Sequence, residues 1–108
     1  MPAVEYVSSH YGERVGVGEL AERCCMSVTN FRRVFVRALG KGPQAYLGEI
    51  RIAMAATQLR AGGDSVSRVS HRCGFETLSS FNRLFRKQLG VTPRQWRRGE
   101  GGRGPGGS

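Results

Sequence analysis

The chain has 108 residues, enough for one compact domain or two very small lobes sharing a core. Seventeen Lys and Arg against eight Asp and Glu leave a net charge of +9 at 39% hydrophobic content, a globular composition suited to a polyanion, either nucleic acid or an anionic membrane surface. No apolar run approaches the ~18 residues of a membrane span, nothing resembles a secretory signal, and an odd cysteine count (Cys24, Cys25, Cys73) excludes a fully paired disulfide framework, so the reading is a reducing, cytosolic compartment.

The expected elements run as follows. Residues 2–12 form a short helix with Val4, Val7 and Tyr11 on one face, broken by "GVG" at 16–18. Val17, Leu20, Ala21 and Cys24 recur at helical spacing, and a turn at 25–27 follows. Phe31, Val34, Phe35, Ala38 and Leu39 continue the period in a longer helix, with Ser27 as its N-cap and Gly40 at its left-handed end. Pro43 opens a helix running to about Arg60, with Tyr46, Leu47, Ile50, Met54 and Leu59 apolar. "AGGDS" stops it, and Asp64 or Ser65 caps the next helix, where Val66, Val69, Ser70 and Cys73 repeat the earlier spacing. Gly74 closes that helix. Phe81, Leu84, Phe85 and Leu89 mark a second long helix from about Leu78, capped by Thr77 and ended by Gly90. Thr92-Pro93 then opens a last short helix through Trp96. The tail, 99–108, is too glycine-rich for a core and reads as a disordered extension or an expression remnant.

The chain repeats itself. "FRRVFVRALGKGP" (31–43) and "FNRLFRKQLGVTP" (81–93) share Phe31/Phe81, Arg33/Arg83, Phe35/Phe85, Leu39/Leu89, Gly40/Gly90 and Pro43/Pro93. Tyr46 then matches Trp96, and Arg23-Cys24 matches Arg72-Cys73 with one residue fewer in the first turn. Segments 31–43 and 81–98 hold ten of the 17 basic residues and no acidic one, so the repeat and the positive charge are one feature. Each copy is a helix, a tight turn, a longer helix with basic exposed positions, and a proline-opened helix. The first three pieces have the form of a helix-turn-helix.

Such a unit grips its scaffold with one face of the longer helix and offers the other to the DNA major groove. Helical spacing leaves Thr29, Asn30, Arg32, Arg33, Val36 and Arg37 outward in the first copy, and Leu78, Ser79, Asn82, Arg83, Arg86 and Lys87 in the second. Bases are best read near the helix start: Arg pairs bidentately with guanine, Asn with adenine, and Ser or Thr adapts to several bases. Later positions suit phosphates. The expected phosphate set is Asn30, Arg37, Lys41, Arg86, Lys87 and Arg94. A connecting helix over 43–60 would be roughly 27 Å long, close to the ~34 Å repeat of major grooves on one DNA face.

The pattern resembles the DNA-binding domain of the AraC/XylS family of bacterial transcription regulators. The matching stretches are "LAERCCMSVTNFRRVFVRALGKGPQAYL" (20–47), "RIAMAATQL" (51–59) and, above all, "VSRVSHRCGFETLSSFNRLFRKQLGVTPRQWR" (66–97). The last carries the Gly-Phe turn, the Phe-x-Arg-x-Phe helix and the Gly-x-Thr-Pro-x-x-Trp-Arg ending. The resemblance implies an all-α fold of seven helices: lobe one over 1–42, the connecting helix over 43–60, and lobe two over 61–98. Carried over by position, it implies base-facing Thr29, Arg32 and Arg33 in one lobe and Ser79, Asn82 and Arg83 in the other. It implies double-stranded operator DNA as the partner and a cytoplasmic, nucleoid-associated location; RNA polymerase is a candidate partner on the acidic-surface reading below. Family members usually carry an effector-binding or dimerising domain before this one, so the expectation is an excised C-terminal domain or a minimal regulator working alone. Cys25 stands where the second turn has Gly74, which predicts strain at a left-handed position.

Other readings of the same residues stay open at this level. The basic faces and exposed Val36 could dock an acidic protein surface, or the chain could package nucleic acid without sequence preference. An enzyme is not expected. Asp64 is the only Asp, at a helix cap, and neither His10 nor His71 has an evident partner. DNA-repair methyltransferases with an AraC-like domain need a reactive-cysteine module whose motif is not in this sequence. No cofactor and no metal site is expected: Cys24 and Cys73 occupy equivalent positions, read as core, and Cys25 is the best candidate for a reactive thiol. Arg51 and Arg72 are read as braces of the scaffold.

Overall fold

The computed structural model describes residues 2–99. Beyond Gly99, the expected disordered tail lies outside the described residues. Those residues form seven helices and no strand: α1 (Pro2–His10), α2 (Val17–Arg23), α3 (Val28–Leu39), α4 (Pro43–Ala61), α5 (Val66–Arg72), α6 (Leu78–Leu89) and α7 (Pro93–Arg97). They fall into two compact units that divide between Ile50 and Arg51, inside α4.

In the first unit, Ala3, Val7, Val17, Leu20, Ala21, Phe31, Phe35 and Leu47 form the buried core. Helix α1 buries Ala3 rather than Val4, which packs only at the edge. The phenol of Tyr6 fastens α1 to α2 by donating to Glu19 Oε2 at 2.7 Å. Arg23 completes that link, 3.8 Å over the Tyr6 ring and 3.6 Å from Glu19. The hydrogen bond to Glu19, with desolvation second, holds the Tyr6 phenol above its usual pKa.

In the second unit the fully enclosed side chains are Ile52, Ala55, Leu59, Val69, Cys73, Phe81 and Phe85. Burial pushes the Cys73 thiol above its ordinary pKa, which keeps it neutral and suits a core filler. Its counterpart Cys24 is only half-buried and packs at the rim of its core, so the two are not equivalent in burial.

The sequence repeat is also a repeat of geometry. Phe31 and Phe35 meet at 5.5 Å and 55°, Phe81 and Phe85 at 5.5 Å and 54°. Phe35 meets Tyr46 edge-on at 5.5 Å, and Phe85 meets Trp96 edge-on at 6.1 Å. Such tilted pairs place the positive ring edge against the negative ring face. Ser27 and Thr77 cap α3 and α6, accepting from Asn30 N and Ser80 N. Gly40 (φ 79) and Gly90 (φ 78) end them, donating to Val36 O and Arg86 O. A side-chain N-cap such as Ser27 or Thr77 is worth about 1 kcal/mol. Ser65, not Asp64, caps α5. Thr92 and Gln95 close a reciprocal capping box at α7.

Helix α4 departs from the single stripe expected of it. Tyr46, Leu47 and Ile50 serve the first unit, but Met54, which continues that stripe, is 40% exposed. The second unit takes Ile52, Ala55, Ala56 and Leu59 instead. The apolar pattern therefore restarts at the division between the units. Ala38 is likewise exposed, although Leu39 beside it packs against the core.

Both tight turns are Schellman motifs. Met26 N–H donates to Ala21 O and Cys25 N–H to Glu22 O; Phe75 N–H donates to Ser70 O and Gly74 N–H to His71 O. The residue between must be left-handed, and it is: Cys25 has φ 56 and Gly74 φ 99. A side chain there costs about 1–2 kcal/mol, partly offset by the extra unfolded-state freedom of glycine, about 0.4–1 kcal/mol. Cys25→Gly is therefore expected to stabilise the chain by about 0.5–1 kcal/mol, and Gly74→Ala to destabilise it by a similar or larger amount. Urea denaturation followed by circular dichroism measures both.

Candidate nucleic-acid interface

Burial of two phenylalanines four residues apart fixes how each long helix is rotated. In α3 this leaves Thr29, Asn30, Arg32, Arg33 and Arg37 exposed. In α6 it leaves Ser79, Asn82, Arg83, Arg86 and Lys87 exposed, and Arg94 is exposed on α7. Of the twelve expected site residues, only Lys41 is partly buried.

The basic side chains then sort into two groups by what they touch. One group braces the scaffold. Lys41 Nζ lies 2.7 and 2.8 Å from the two Glu49 oxygens. Arg60 Nε donates to Trp96 O at 3.2 Å while its guanidinium lies 3.7 Å over the Trp96 ring. Arg72 reaches Asp64 Oδ2 at 2.7 Å and Gln58 Oε1 at 3.1 Å. Arg97 donates to the carbonyls of Leu59 and Asp64. The other group is Arg32, Arg33, Arg37, Arg83, Arg86, Lys87 and Arg94. Among the described residues no side chain of these seven makes a hydrogen bond, ion pair or ring contact. All seven lie on α3, α6 and the start of α7.

An exposed cation without a partner keeps its hydration and its rotamer freedom. It can give both up to a phosphate or a base edge without first breaking an internal bond. Lys41 differs from the rest of its expected set, because Glu49 already neutralises it.

In the second unit these cations gather around one groove of about 1200 Å³. Asn82, Arg83, Arg86 and Lys87 of α6 line it with Arg94 and Arg97 of α7 and Arg98 just after it, and no acidic residue does. Leu78 and the α5 residues Val66 and Ser67 complete the wall, with Ser65 at its edge. Sequence reasoning placed Asn82, Arg83, Arg86, Lys87 and Arg94 here but missed the α5 start, Arg97 and Arg98. Helical spacing describes one helix at a time, and the groove is made by three.

Comparison with known proteins fixes the family. A helix-turn-helix domain family model matches residues 20–99. The DNA-binding domain of AdpA, described as a global transcriptional factor and solved in complex with a target DNA, superposes with a TM-score of 0.86 at 33% identity, covering 90% of this chain and 87% of that one. The chain belongs to the AraC/XylS family of helix-turn-helix transcription regulators and is a DNA-binding domain of that family. An AraC-type regulator from Chromobacterium violaceum superposes with a TM-score of 0.85 at 26% identity, covering 90% of this chain and 87% of that one. The regulator Rv1931c of Mycobacterium tuberculosis is 39% identical over 82 residues, 76% of this chain and 32% of that protein. The activator RhaS of Escherichia fergusonii is 32% identical over 96 residues, 89% of this chain and 34% of that protein. The chain thus spans about a third of the length of these curated relatives.

Among the described residues of this AraC-type domain, no helix is long and apolar enough to cross a membrane, and no three His, Cys, Asp or Glu side chains are grouped to hold a metal ion. The acidic group that matters most is Asp64. It receives Arg72, lies 3.8 Å from Arg68, and its carbonyl receives Arg97. The Arg72 hydrogen bond, then the Arg72 charge, hold its carboxyl below the usual range. A depressed folded-state pKa contributes stability above the unfolded value of about 3.9 and loses it as pH falls through the folded one. Asp64→Asn is therefore expected to lower the thermal midpoint near neutral pH, and the two curves should converge as pH falls below about 4. A calorimetric pH series checks both features.

Proposed function

We propose that this domain reads an asymmetric duplex site through two major grooves one helical turn apart, α3 in one and α6 in the other. The observation that carries the reading is the set of seven cations without partners, six of them on the outward faces of the duplicated helices α3 and α6 and the seventh, Arg94, at the start of α7. Bases are read from the first half of each helix: Thr29, Arg32 and Arg33 on α3, and Ser79, Asn82 and Arg83 on α6. Asn30, Arg37, Arg86, Lys87 and Arg94 hold phosphates. Lys41 adds less, because a phosphate must displace Glu49. The domain acts on promoter DNA in the cytoplasm, as part of a bacterial regulator whose remaining parts sense a signal or pair two copies. RNA polymerase is a further partner on this reading.

Affinity should rest largely on counterion release. With about six to eight phosphate contacts, the log–log slope of affinity against salt should be about −5 to −7. Fluorescence anisotropy on a site selected from randomised duplexes measures it, and a slope near zero rejects the electrostatic half of the proposal. Lys41→Ala should change the slope less than Arg86→Ala.

The base-reading half has its own test. Arg33→Ala and Arg83→Ala should each cost about 1–3 kcal/mol on the selected site and relax base choice at one position. Equal losses on selected and random duplex would show that these residues do not read bases. Footprinting should protect two groove segments about one turn apart.

A further inference from the structure

Four large hydrophobic side chains are exposed among the described residues: Val28 (41%), Val36 (47%), Met54 (40%) and Leu78 (42%). Scattered apolar residues on a surface need no explanation, but two of these are not scattered. Val28 and Leu78 are the first residues of α3 and α6, so they hold the same position in the two copies. Each stands four residues before a residue expected to read bases, Arg32 and Asn82, and positions four apart share one flank of a helix. In the second unit the grouping is direct: Leu78, Asn82 and Arg83 line the same groove, otherwise walled largely by cations.

We propose that Val28 and Leu78 determine specificity by packing against the 5-methyl group of a thymine, one in each half of the site. The inference rests on the base-reading proposal above and adds a chemical class of contact to it. In the major groove only thymine offers an apolar knob, and the other bases offer donors and acceptors there. An aliphatic side chain can satisfy no polar edge, so placing it over guanine or cytosine would strip water from groups left unpaired. Over thymine it replaces water on two apolar surfaces. Each half of the site would thus combine one methyl contact with the polar contacts made one turn further along the same flank.

The test removes the methyl and nothing else. Replacing thymine by deoxyuridine at single positions of a selected duplex should weaken wild-type binding about three- to fivefold at one position in each half, the worth of roughly one buried methyl group. Val28→Ala and Leu78→Ala should lose a similar factor on the thymine duplex. Each should then ignore the deoxyuridine change in its own half and keep the dependence in the other. Val36→Ala, the surface control, should retain both dependences. Selective binding that ignores every thymine methyl overturns this inference alone, as does a selected site with no thymine in either half. So does methyl dependence that survives in both alanine variants. Equal binding of selected and random duplex overturns the base-reading proposal, and this inference with it.

Discussion

The interface depends on a pair of rings repeated twice. In each long helix two phenylalanines four residues apart are driven out of water and packed against each other as a tilted pair. A helix has one rotational freedom about its axis, and burying those rings removes it. Every outward side chain is then fixed in direction by the hydrophobic effect rather than by any interaction of its own. Truncating one such ring would cost about 3–5 kcal/mol, a large part of what so small a unit has to spend. The cations can therefore remain unpaired: the energy that positions them is supplied on the opposite face of the helix.

Charge follows from the same economy. A chain with 17 basic and eight acidic residues cannot pair every cation internally. Among the described residues, Glu19, Glu49 and Asp64 form ion pairs where elements must be joined. Asp64 alone gathers Arg72 and Arg68, with Arg97 bound to its backbone, at the junction of α4, α5 and α7. Acids are absent from the outward faces of α3 and α6, so the positive potential there is uncompensated. The bracing arginines and the unpartnered ones are the same residue type. What separates them is whether a carboxylate or carbonyl lies within reach.

The seven helices, their caps and the outward faces of α3 and α6 were legible because each depends on residues within a few positions of one another. Ser27, Thr77, Gly40, Gly90 and the Thr92-Pro93 start all act locally, and local chemistry survives in sequence. The rest depended on which elements meet. Met54 belongs to the apolar stripe that Tyr46 and Ile50 begin, and nothing local reveals that the pattern restarts at Ile52. Lys41 lies among basic neighbours in sequence, and its pairing with Glu49 comes from a helical turn beginning at Pro43. Arg97 reads as one more exposed cation until the end of α4 is seen beneath it.

The two copies also diverge where their duties do. At the first turn Cys25 accepts a left-handed backbone that Gly74 adopts without strain. At the aromatic position Tyr46 gives way to Trp96, whose ring nitrogen donates to Ala56 O at 2.9 Å and whose face carries Arg60. Val36 stands where the second copy has Arg86, and Lys41, held by Glu49, where it has Val91. The second unit thus has the less strained turn, the more heavily tied core and the larger share of unpartnered charge: Arg83, Arg86, Lys87 and Arg94 against Arg32, Arg33 and Arg37. A duplication keeps the shape of a reader cheaply, because the rings and caps are few. It leaves the outward residues free to differ, and on the proposed reading that difference would let two copies of one motif read an asymmetric sequence.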